Sequence, residues 1–572
     1  MIRLSELKLS LAQAENPEPA LLQSVCTTLG LPPDGIANLH IFKRSFDARK
    51  ADLVAVYIVD VTLADTSLEE AMLVCFDNNS QVNRTPDMQW QAPVAAPADL
   101  PLRPVVVGFG PCGIFAALVL AQMGFKPIVL ERGTTVRQRT KDTWGLWRKN
   151  VLNPESNVQF GEGGAGTFSD GKLYSQIKDP RHLGRKVMNE FVKAGAPAEI
   201  LYEAHPHIGT FKLVKVVENM REQIIAMGGE IRFQQRVTDV LVEDGAQGRH
   251  LRGLMVLDQE SGQSSELRAD HVVMALGHSA RDTFAMLHER GVYMEAKPFS
   301  IGFRVEHPQS LIDRARWGRH AGHPLLGAAD YKLVHHASNG RSVYSFCMCP
   351  GGTVVAATSE PNRVVTNGMS QYSRNERNAN AGIVVGIEPE RDYPGGPLAG
   401  LALQRQLESH AFTLGGSTYE APGQLVGEFI AGKASTQLGS VEPSYKPGVK
   451  LGDLASALPT YAIKAIREAL PAFGKKIKGF DLHDAMLTGV ETRTSSPLKI
   501  TRGEDFQSLN TKGLYPAGEG ASYAGGILSA GVDGIKVGEA VARQMAPSPF
   551  GGRKQLAPSP AGGGLGWGHR AK

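Results

Sequence analysis

The chain has 572 residues, of which 42% are hydrophobic and 21% are charged, a composition typical of a globular protein with several domains. The net charge of +4 gives no reason to expect a nucleic acid or an anionic membrane as partner, because the excess lies in the C-terminal tail, at Arg553, Lys554, Arg570 and Lys572. The five cysteines lack C-x-x-C spacing, which disfavours a disulfide framework or a zinc site and favours a cytoplasmic location.

The first 95 residues are predicted to form a separate α+β module. Strands are expected at 4–11, 40–48 and 53–61, a helix at 20–29, and a helix or a strand at 67–74. This β-α-β-β order is typical of a ferredoxin-like module. A segment rich in proline and alanine follows it and predicts a linker at residues 96–103.

RNA binding is an alternative role for this module. It carries four basic residues within a short stretch: Lys43, Arg44, Arg49 and Lys50. Such charges more often form the solvated face of a strand, so binding of nucleic acid is not the favoured interpretation.

A short strand, a glycine-rich turn and a helix are predicted for residues 105–122. Three valines are typical of a buried parallel strand, and Gly108, Gly110 and Gly113 then form G-x-G-x-x-G. These glycines permit a tight turn, a close approach to a pyrophosphate and close packing of the helix on the strand. The uncharged run 104–125 is long enough to cross a membrane, but its glycine turn favours a buried βα unit instead.

An acidic residue follows the next predicted strand. Glu131 lies about 20 residues after Gly108, the offset at which a carboxylate binds the hydroxyls of a ribose. A glutamate at this position would repel a 2′-phosphate, so FAD or NAD is favoured over NADP. A strand, turn and helix without any ligand is the alternative.

The chain is predicted to return to this domain at residues 513–544, with a strand, a glycine-rich turn and a long helix. The sequence Leu-Tyr-Pro-Ala-Gly-Glu-Gly within it resembles the C-terminal motif of glutathione-reductase-like flavoproteins. The resemblance implies that Gly518 passes close to the pyrophosphate of FAD and that Glu519 binds its ribityl chain. It also directs the helix N-terminus at Gly526 and Ile527 toward the flavin, where it would stabilise the negative charge of the reduced ring.

Two further segments resemble parts of the same superfamily. The strand predicted at 269–276 ends in Gly277, which would pass near the flavin, while Val237 on an earlier strand would lie beside the adenine. A glycine-rich loop at 160–173 corresponds to a loop that lies along the FAD in related flavoproteins, with a mobile surface loop as the alternative. The residues of this loop assigned to the cofactor are Gly164, Ser169 and Lys172.

Taken together, the motifs resemble a bacterial family of uncharacterised FAD-dependent dehydrogenases, over about residues 1–546. The marks are GFGPCG, LERG, NPESNVQFGEGGAGTFSDGKLYS, GHSARDTF, YSFCMCPGGTVVAATSE, GVETRTSSP and YPAGEGASYAGGILSAG. The resemblance implies FAD as the cofactor, with Arg132 of the LERG motif beside it, and names no substrate.

The predicted fold is therefore α/β. A discontinuous, glutathione-reductase-like Rossmann domain that binds FAD is expected at 104–290 and 500–546. An α+β substrate domain is inserted at 291–499, and the ferredoxin-like module precedes both. The Gly- and Pro-rich tail at 547–572 is expected to be disordered.

Four residues are candidates for contacts with a substrate. His278 and Tyr523 could act as acid or base, although packing roles are more common for both. Arg304 and Arg493 could hold a carboxylate in a bidentate manner, or form internal salt bridges. The histidines between residues 306 and 336 lack the spacing of a metal site, so no metal is expected.

The segment 344–352 resembles the aromatic-x-x-x-Pro-x-Gly turn of geranylgeranyl-reductase-like flavoproteins. There the turn borders the substrate cavity beside the flavin, which makes Cys349 a candidate catalytic residue. Cys347 and Cys349 could form a redox pair. Structural thiols are the favoured interpretation, because residues two apart in a regular strand are near the upper distance limit for a disulfide.

The sequence thus predicts an FAD-dependent oxidoreductase that transfers a hydride between a small organic substrate and flavin N5. A second dinucleotide fingerprint is missing from the sequence, which disfavours a two-nucleotide disulfide reductase but leaves transient binding of NAD(P)H open. Two alternatives remain: an RNA-modifying flavoprotein that uses the N-terminal module, and a flavin-binding or electron-transfer protein without catalysis. The sequence does not determine the oligomeric state.

Overall fold

The computed structural model describes residues 1–49, 52–246 and 248–546, so the predicted disordered tail and Lys50 lie outside the described residues. The N-terminal module is a four-stranded antiparallel sheet in the order β2-β3-β1-β4. Its elements are β1 (Ile2–Ser10), α1 (Leu11–Ala14), α2 (Pro17–Leu29), β2 (Ile36–Asp47), β3 (Val54–Leu63), α3 (Leu68–Cys75) and β4 (Val82–Arg84).

The predicted elements of this module are confirmed, and the segment at 67–74 is resolved as the helix α3. The short elements α1 and β4 were missed, because three or four residues are too few to show a periodicity. Arg44 does not face solvent as a surface for RNA would require. Its guanidinium pairs with Glu203, and its backbone N–H donates to the carbonyl of Tyr202 at 2.6 Å, which joins β2 to the next domain.

The second domain is built on a five-stranded parallel sheet in the order β22-β11-β5-β6-β7, beside an antiparallel ribbon β10-β9-β8. Its strands and helices up to residue 289 are β5 (Val105–Val107), α4 (Pro111–Gln122), β6 (Ile128–Leu130), α5 (Val136–Lys149), α6 (Leu183–Lys193), α7 (Thr210–Ala226), β7 (Glu230–Arg232), β8 (Gln235–Gly245), β9 (Gly248–Asp258), β10 (Ser264–Arg268), β11 (Val272–Met274) and α8 (Arg281–Glu289).

The third region is dominated by an eight-stranded sheet in the order β14-β15-β17-β13-β20-β18-β19, with β16 paired to β15. Its elements are β12 (Glu295–Ala296), β13 (Phe299–Pro308), α9 (Gln309–Trp317), β14 (Val334–His336), β15 (Ser342–Ala356), β16 (Thr366–Ser370), β17 (Asn378–Ile387), α10 (Pro389–Asp392), α11 (Ala399–Leu414), β18 (Ala421–Leu425), α12 (Val426–Ala431), β19 (Val449–Leu451), α13 (Thr460–Lys476), β20 (Met486–Glu491) and β21 (Leu498–Lys499).

The chain then returns to the parallel sheet with β22 (Leu514–Pro516) and α14 (Ile527–Met545). Strand β22 pairs in parallel with β11, and α14 packs closely on α4. Glycine permits this contact, because a Cβ on Gly534 would lie 2.2 Å from the carbonyl oxygen of Cys112.

The uncharged run at 104–125 forms β5 and α4, and every residue of α4 from Cys112 to Ala121 is buried within the domain. This burial on all sides explains why the run carries no charge. In the part of the chain that the structure describes, no helix is both long and apolar enough to cross a membrane.

Candidate functional site

A cavity of about 530 Å³ opens at the carboxyl ends of the parallel strands. The segments that follow β5, β6, β11 and β22 all line it, as expected for a ligand site of an open α/β sheet. The predicted cofactor residues that line the cavity are Gly108, Gly110, Glu131, Arg132, Gly164, Ser169, Lys172, Val237, Gly277, Glu519, Gly526 and Ile527. The predicted residues Gly113, Gly518, Tyr523, Cys349 and Arg304 do not line it.

The glycine turn after β5 is fixed by close backbone contacts. Gly108 has a φ of +98°, and a Cβ there would lie 2.5 Å from the carbonyl oxygen of Ala275. A Cβ on Gly113 would lie 1.9 Å from the carbonyl oxygen of Gly108, so Gly113 serves the packing of α4 rather than the cavity wall. A Cβ on Gly164 would lie 2.7 Å from the Cα of Gly110, which brings the two glycine-rich loops together.

Glu131 ties three loops together through its buried carboxylate. It accepts hydrogen bonds from the backbone N–H groups of Phe109 at 2.9 Å, Gly133 at 2.8 Å and Gly161 at 3.0 Å. Glu131 also lines the cavity, so the residue that braces the turn lies at the cavity wall.

Arg132 lines the cavity, but its guanidinium is engaged by the protein. It donates to Glu155 at 2.9 Å and to Asp282 at 2.8 Å, and it stacks on the ring of Phe160 at 4.1 Å. Its contribution to the cavity is therefore a flat, positively charged wall rather than a free set of donors.

A further arginine, which the sequence analysis missed, shapes the loop opposite the glycine turn. Arg139 of α5 is fully buried, and it donates to backbone carbonyls of the loop: those of Asn157, Val158, Gly161 and Glu162. Burial lowers the pKa of Arg139 to about 10, so the guanidinium stays charged at neutral pH. In the sequence it stands among polar residues of an amphipathic helix, and that pattern gives no sign of this role.

The helix α14 points its N-terminus into the cavity, and no described side chain caps it. Three glycines border this end: Gly277, Gly525 and Gly526. A Cβ added to any of them would meet no atom within 4 Å, so these glycines leave open the space that side chains would otherwise fill. Exposed N–H groups and the helix dipole favour negative charge at such a position.

Gly518 has a different position from the predicted one. Its φ is +73°, its N–H donates to Asp533 at 2.8 Å, and a Cβ would lie 2.9 Å from the Cβ of Cys112. It therefore holds β22 against α4 and stays behind the cavity wall. Tyr523 is also directed away, since its hydroxyl accepts the N–H of Arg502 at 2.8 Å and its ring packs against that guanidinium.

Glu519 lines the cavity, and its carboxylate accepts no hydrogen bond from any residue that the structure describes. Burial raises the pKa of Glu519 from 4.5 to about 7. The Nε2 atom of His278 lies 3.9 Å from its Oε1 atom. Burial, together with the charges of Arg493 and Arg281, lowers the pKa of His278 to about 3, so its ring is neutral.

Both predicted substrate arginines pair with carboxylates of the protein, which is the alternative that the sequence left open for them. Arg304 is fully buried, pairs with Glu491 at 2.8 Å and does not reach the cavity. Arg493 does reach it, but it forms a bidentate pair with Glu408 at 2.8 and 2.9 Å. Its remaining nitrogen donates to two serines, Ser279 and Ser359. Both arginines therefore neutralise buried carboxylates.

The loop at 160–173 supplies two further polar groups. The hydroxyl of Ser169 donates to the carbonyl of Gly166 at 2.7 Å, and the ammonium of Lys172 donates to the carbonyl of Met348. Cys347 lines the cavity, whereas the predicted Cys349 is fully buried behind it. Among residues 1–49, 52–246 and 248–546, no group of three or more His, Cys, Asp or Glu could hold a metal ion.

Most of the third region matches a known domain family. Residues 298–494 match the family described as "FAD-dependent protein, C-terminal domain-like", and residues 1–62 match a domain of unknown function. An uncharacterized protein of Clostridium beijerinckii is 46% identical over 542 residues, which cover 94% of this chain and 98% of that protein.

Solved structures show only distant likeness. E. coli quinol fumarate reductase FrdA is 15% identical, with a TM-score of 0.36 over 79% of this chain and 71% of its own. Glycerol-3-phosphate dehydrogenase of Bacillus halodurans, complexed with FAD, is 11% identical, with a TM-score of 0.33 over 79% and 66%. Glycine oxidase of Geobacillus kaustophilus is 12% identical, with a TM-score of 0.32 over 77% and 94%. Scores this low support no functional assignment.

Proposed function

The chain belongs to the family of the uncharacterized Clostridium beijerinckii protein, and from this premise we propose that it is an FAD-dependent oxidoreductase acting on a small organic substrate. One observation carries the proposal: two helix N-termini without side-chain caps, those of α4 and α14, face one cavity that has a carboxylate at each end. The match of residues 298–494 to FAD-dependent proteins supports the same cofactor.

The residues present fit FAD. The turn at Gly108 and the N-terminus of α4 would hold the pyrophosphate, and Glu131 would accept a hydrogen bond from the ribose. At the other end, Glu519 would accept from the ribityl hydroxyls, because its carboxylate accepts no hydrogen bond from the described residues. The open space beside Gly526 would leave room for the flat flavin ring.

When bound, FAD would accept a hydride at N5 from the substrate or return one to it. The N-terminus of α14 would stabilise the negative charge of the reduced ring. His278 stays neutral above about pH 4, so its ring could donate or accept a hydrogen bond in the cavity without adding charge to it. Because Arg304 and Arg493 are both paired internally, the substrate would be recognised without an arginine fork.

The three regions of the chain are assigned to domains that fit an FAD-dependent oxidoreductase. We assign the parallel sheet with α4 and α14 to a discontinuous Rossmann domain, and the eight-stranded sheet to an inserted substrate domain. The antiparallel order β2-β3-β1-β4 supports a ferredoxin-like assignment for the N-terminal module. RNA modification is not favoured, since Arg44 pairs with Glu203 and Arg49 pairs with Asp47.

The proposal is tested by filling the cavity without disturbing the packing. Gly277→Val and Gly526→Val place side chains in space that is empty in the protein, so both variants should fold but purify without FAD. Gly386→Val is the matched control, because its Cβ also meets no atom within 4 Å but Gly386 does not line the cavity. The measurements are the melting temperature and the cofactor released on denaturation, identified by mass spectrometry.

Catalysis is tested with the unmodified protein and the Gly386→Val variant. Anaerobic addition of NADH, NADPH or fractionated metabolites should bleach the bound flavin, and the fraction that bleaches it leads to the substrate. Stoichiometric FAD in both valine variants would refute the site. A flavin that no donor bleaches at a catalytic rate would favour the non-catalytic alternative.

A further inference from the structure

We propose that Cys347 and Cys349 form a redox-active dithiol that exchanges an electron pair with the flavin, an inference that rests on the proposed FAD site. The two residues lie on β15, at the edge of the cavity that Gly526 and Glu519 border. Neither the fold nor the proposed cofactor binding requires a pair of thiols here. The local backbone, the contacts of the two cysteines and the charges beside them support a redox role.

The strand β15 is irregular at the cysteines. Phe346 lies opposite Gly382 and Cys349 lies opposite Asn380, so three steps along β15 meet two steps along β17. Cys347 has a φ of +42°, in the left-handed region that side chains seldom adopt. The spacing of a regular strand, on which the expectation of structural thiols rested, therefore does not apply.

At this bulge the two thiols differ in their exposure to the cavity. Cys347 lines the cavity and is partly exposed, whereas Cys349 is fully buried. The thiol of Cys349 donates to the carbonyl oxygen of Cys347 at 3.4 Å. An accessible thiol with a buried thiol two residues along the same bulge is an arrangement in which the second cysteine can resolve a reaction of the first.

Two cations, the buried Arg304 and the partly buried Lys172, contact the same turn. Arg304 donates to the carbonyl of Cys347 at 2.7 Å, and Lys172 donates to the carbonyl of Met348. Gly368 makes room for this arrangement, because a Cβ there would lie 2.9 Å from the sulfur of Cys349 and 2.7 Å from Nη1 of Arg304. Arg304, which the sequence predicted to hold a substrate, instead places positive charge beside the sulfurs.

Neighbouring groups shift the pKa values of the two thiols in opposite directions. A hydrogen bond from Cys349 lowers the pKa of Cys347 to about 5, and Arg304 and Lys172 add to this effect against the opposing effect of burial. The same hydrogen bond and burial raise the pKa of Cys349. At neutral pH the accessible sulfur is thus a thiolate and the buried one a thiol. Carboxylates nearby, Asp170 and Glu491, are paired with Arg374 and Arg304.

The exchange balances in electrons and protons. One S–S bond forms between the Cys347 thiolate and the Cys349 sulfur, and the S–H bond of Cys349 breaks. The two electrons and the proton pass to oxidised FAD, which becomes the singly protonated, anionic reduced flavin. The reverse reaction restores the thiolate and the thiol, so the pair can store the electrons of one turnover.

Counting electrons and thiols in the purified holoenzyme tests the proposal. After mild oxidation, anaerobic titration with dithionite should consume about four electrons per flavin in the unmodified protein and about two in Cys347→Ser and Cys349→Ser. Alkylation after denaturation should find three of the five cysteines free in the oxidised protein and five after reduction. Cys26→Ser, distant in α2, is the matched control and should still consume about four electrons.

A second measurement does not depend on flavin turnover. Alkylation of Cys347 in the cofactor-free protein should be half-maximal near pH 5, and Cys349→Ala should shift that midpoint upward, because alanine has no side-chain donor. Melting temperatures report whether the serine and alanine variants fold.

The outcomes separate this inference from the proposed function. Bound FAD that a substrate bleaches, with two electrons consumed and five free thiols after oxidation, overturns the dithiol and leaves the oxidoreductase standing. A protein that binds no FAD overturns both. A midpoint for Cys347 above neutral pH also overturns the dithiol.

Discussion

Two carboxylates at opposite ends of one cavity behave differently. Glu131 accepts three backbone N–H groups and is 5% exposed, whereas Glu519 is 28% exposed and accepts none from the described residues. Both were predicted from motifs as ligands of the same cofactor. Their surroundings show that Glu131 is held by the folded loops, while Glu519 has no hydrogen-bond donor among the described residues.

Replacing the two carboxylates should therefore change the stability of the folded protein in opposite directions. Removing an acceptor that several buried N–H groups share leaves those donors unsatisfied, so the fold is affected first. A buried carboxyl without partners costs stability when it ionises, so the unliganded fold should improve when it is replaced by a neutral group. Substitutions of Glu131, Glu519 and the neighbouring His278 test this comparison.

The largest effect is expected for Glu131→Ala. The substitution leaves the N–H groups of Phe109, Gly133 and Gly161 without an acceptor, so the free energy of unfolding should fall by about 3–5 kcal/mol. Urea unfolding of the cofactor-free protein measures this loss. Glu504→Ala, at an exposed position, is the control and should change stability by less than about 0.5 kcal/mol. A loss in Glu131→Ala no greater than that of the control would refute the bracing role.

An intermediate effect of opposite sign is expected for Glu519→Gln. The pKa of Glu519 is raised from 4.5 to about 7 in the folded state, so the unliganded protein loses stability as pH rises through that window. Glutamine cannot ionise, so the variant should match the unmodified protein near pH 4.5. It should be more stable by about 2–3 kcal/mol at pH 8.

Unfolding of the FAD-free proteins at both pH values measures this difference, and Glu504→Gln is the charge-matched control. If Glu519→Gln gains nothing at pH 8, the carboxyl already has a partner and the comparison fails. The affinity of the Glu519→Gln variant for FAD should fall whether or not its stability changes, because a neutral amide accepts weaker hydrogen bonds than a carboxylate.

The smallest effect is expected for His278→Gln. The ring is neutral and its Nδ1 atom contacts only the neighbouring hydroxyl of Ser279, at 3.1 Å. Stability and FAD affinity should therefore change by about 1 kcal/mol or less, which is a factor of about five in the dissociation constant. Fluorescence titration of the apoprotein with FAD checks this value. A much larger loss of affinity would assign the histidine a direct role in binding FAD.

Part of the site could be predicted because its determinants are local. The tight turn at Gly108 and the carboxylate of Glu131 lie within one strand–turn–helix–strand unit, where steric limits on the backbone allow few residue types. The same holds for the strand, turn and helix that contain Glu519 and Gly526. All four of these residues line the cavity.

The roles that the sequence left open belong to side chains whose partners are distant in sequence. Arg304 pairs with Glu491, 187 positions away, and Arg493 donates to Ser279, 214 positions away. A sequence pattern shows that an arginine is present, but not which carboxylate will neutralise it. The bulge that turns Cys347 rather than Cys349 toward the cavity likewise depends on the pairing of β15 with β17.

The sequence by itself determined the glycine turns and the return of the chain to the sheet, because backbone sterics and hydrophobic periodicity act over a few residues. Only the tertiary structure decided which charges are paired, which carboxylate is left for a ligand and which thiol is accessible. Those properties depend on burial and on distances between segments, and at Glu131 and Glu519 they give the same residue type two different roles.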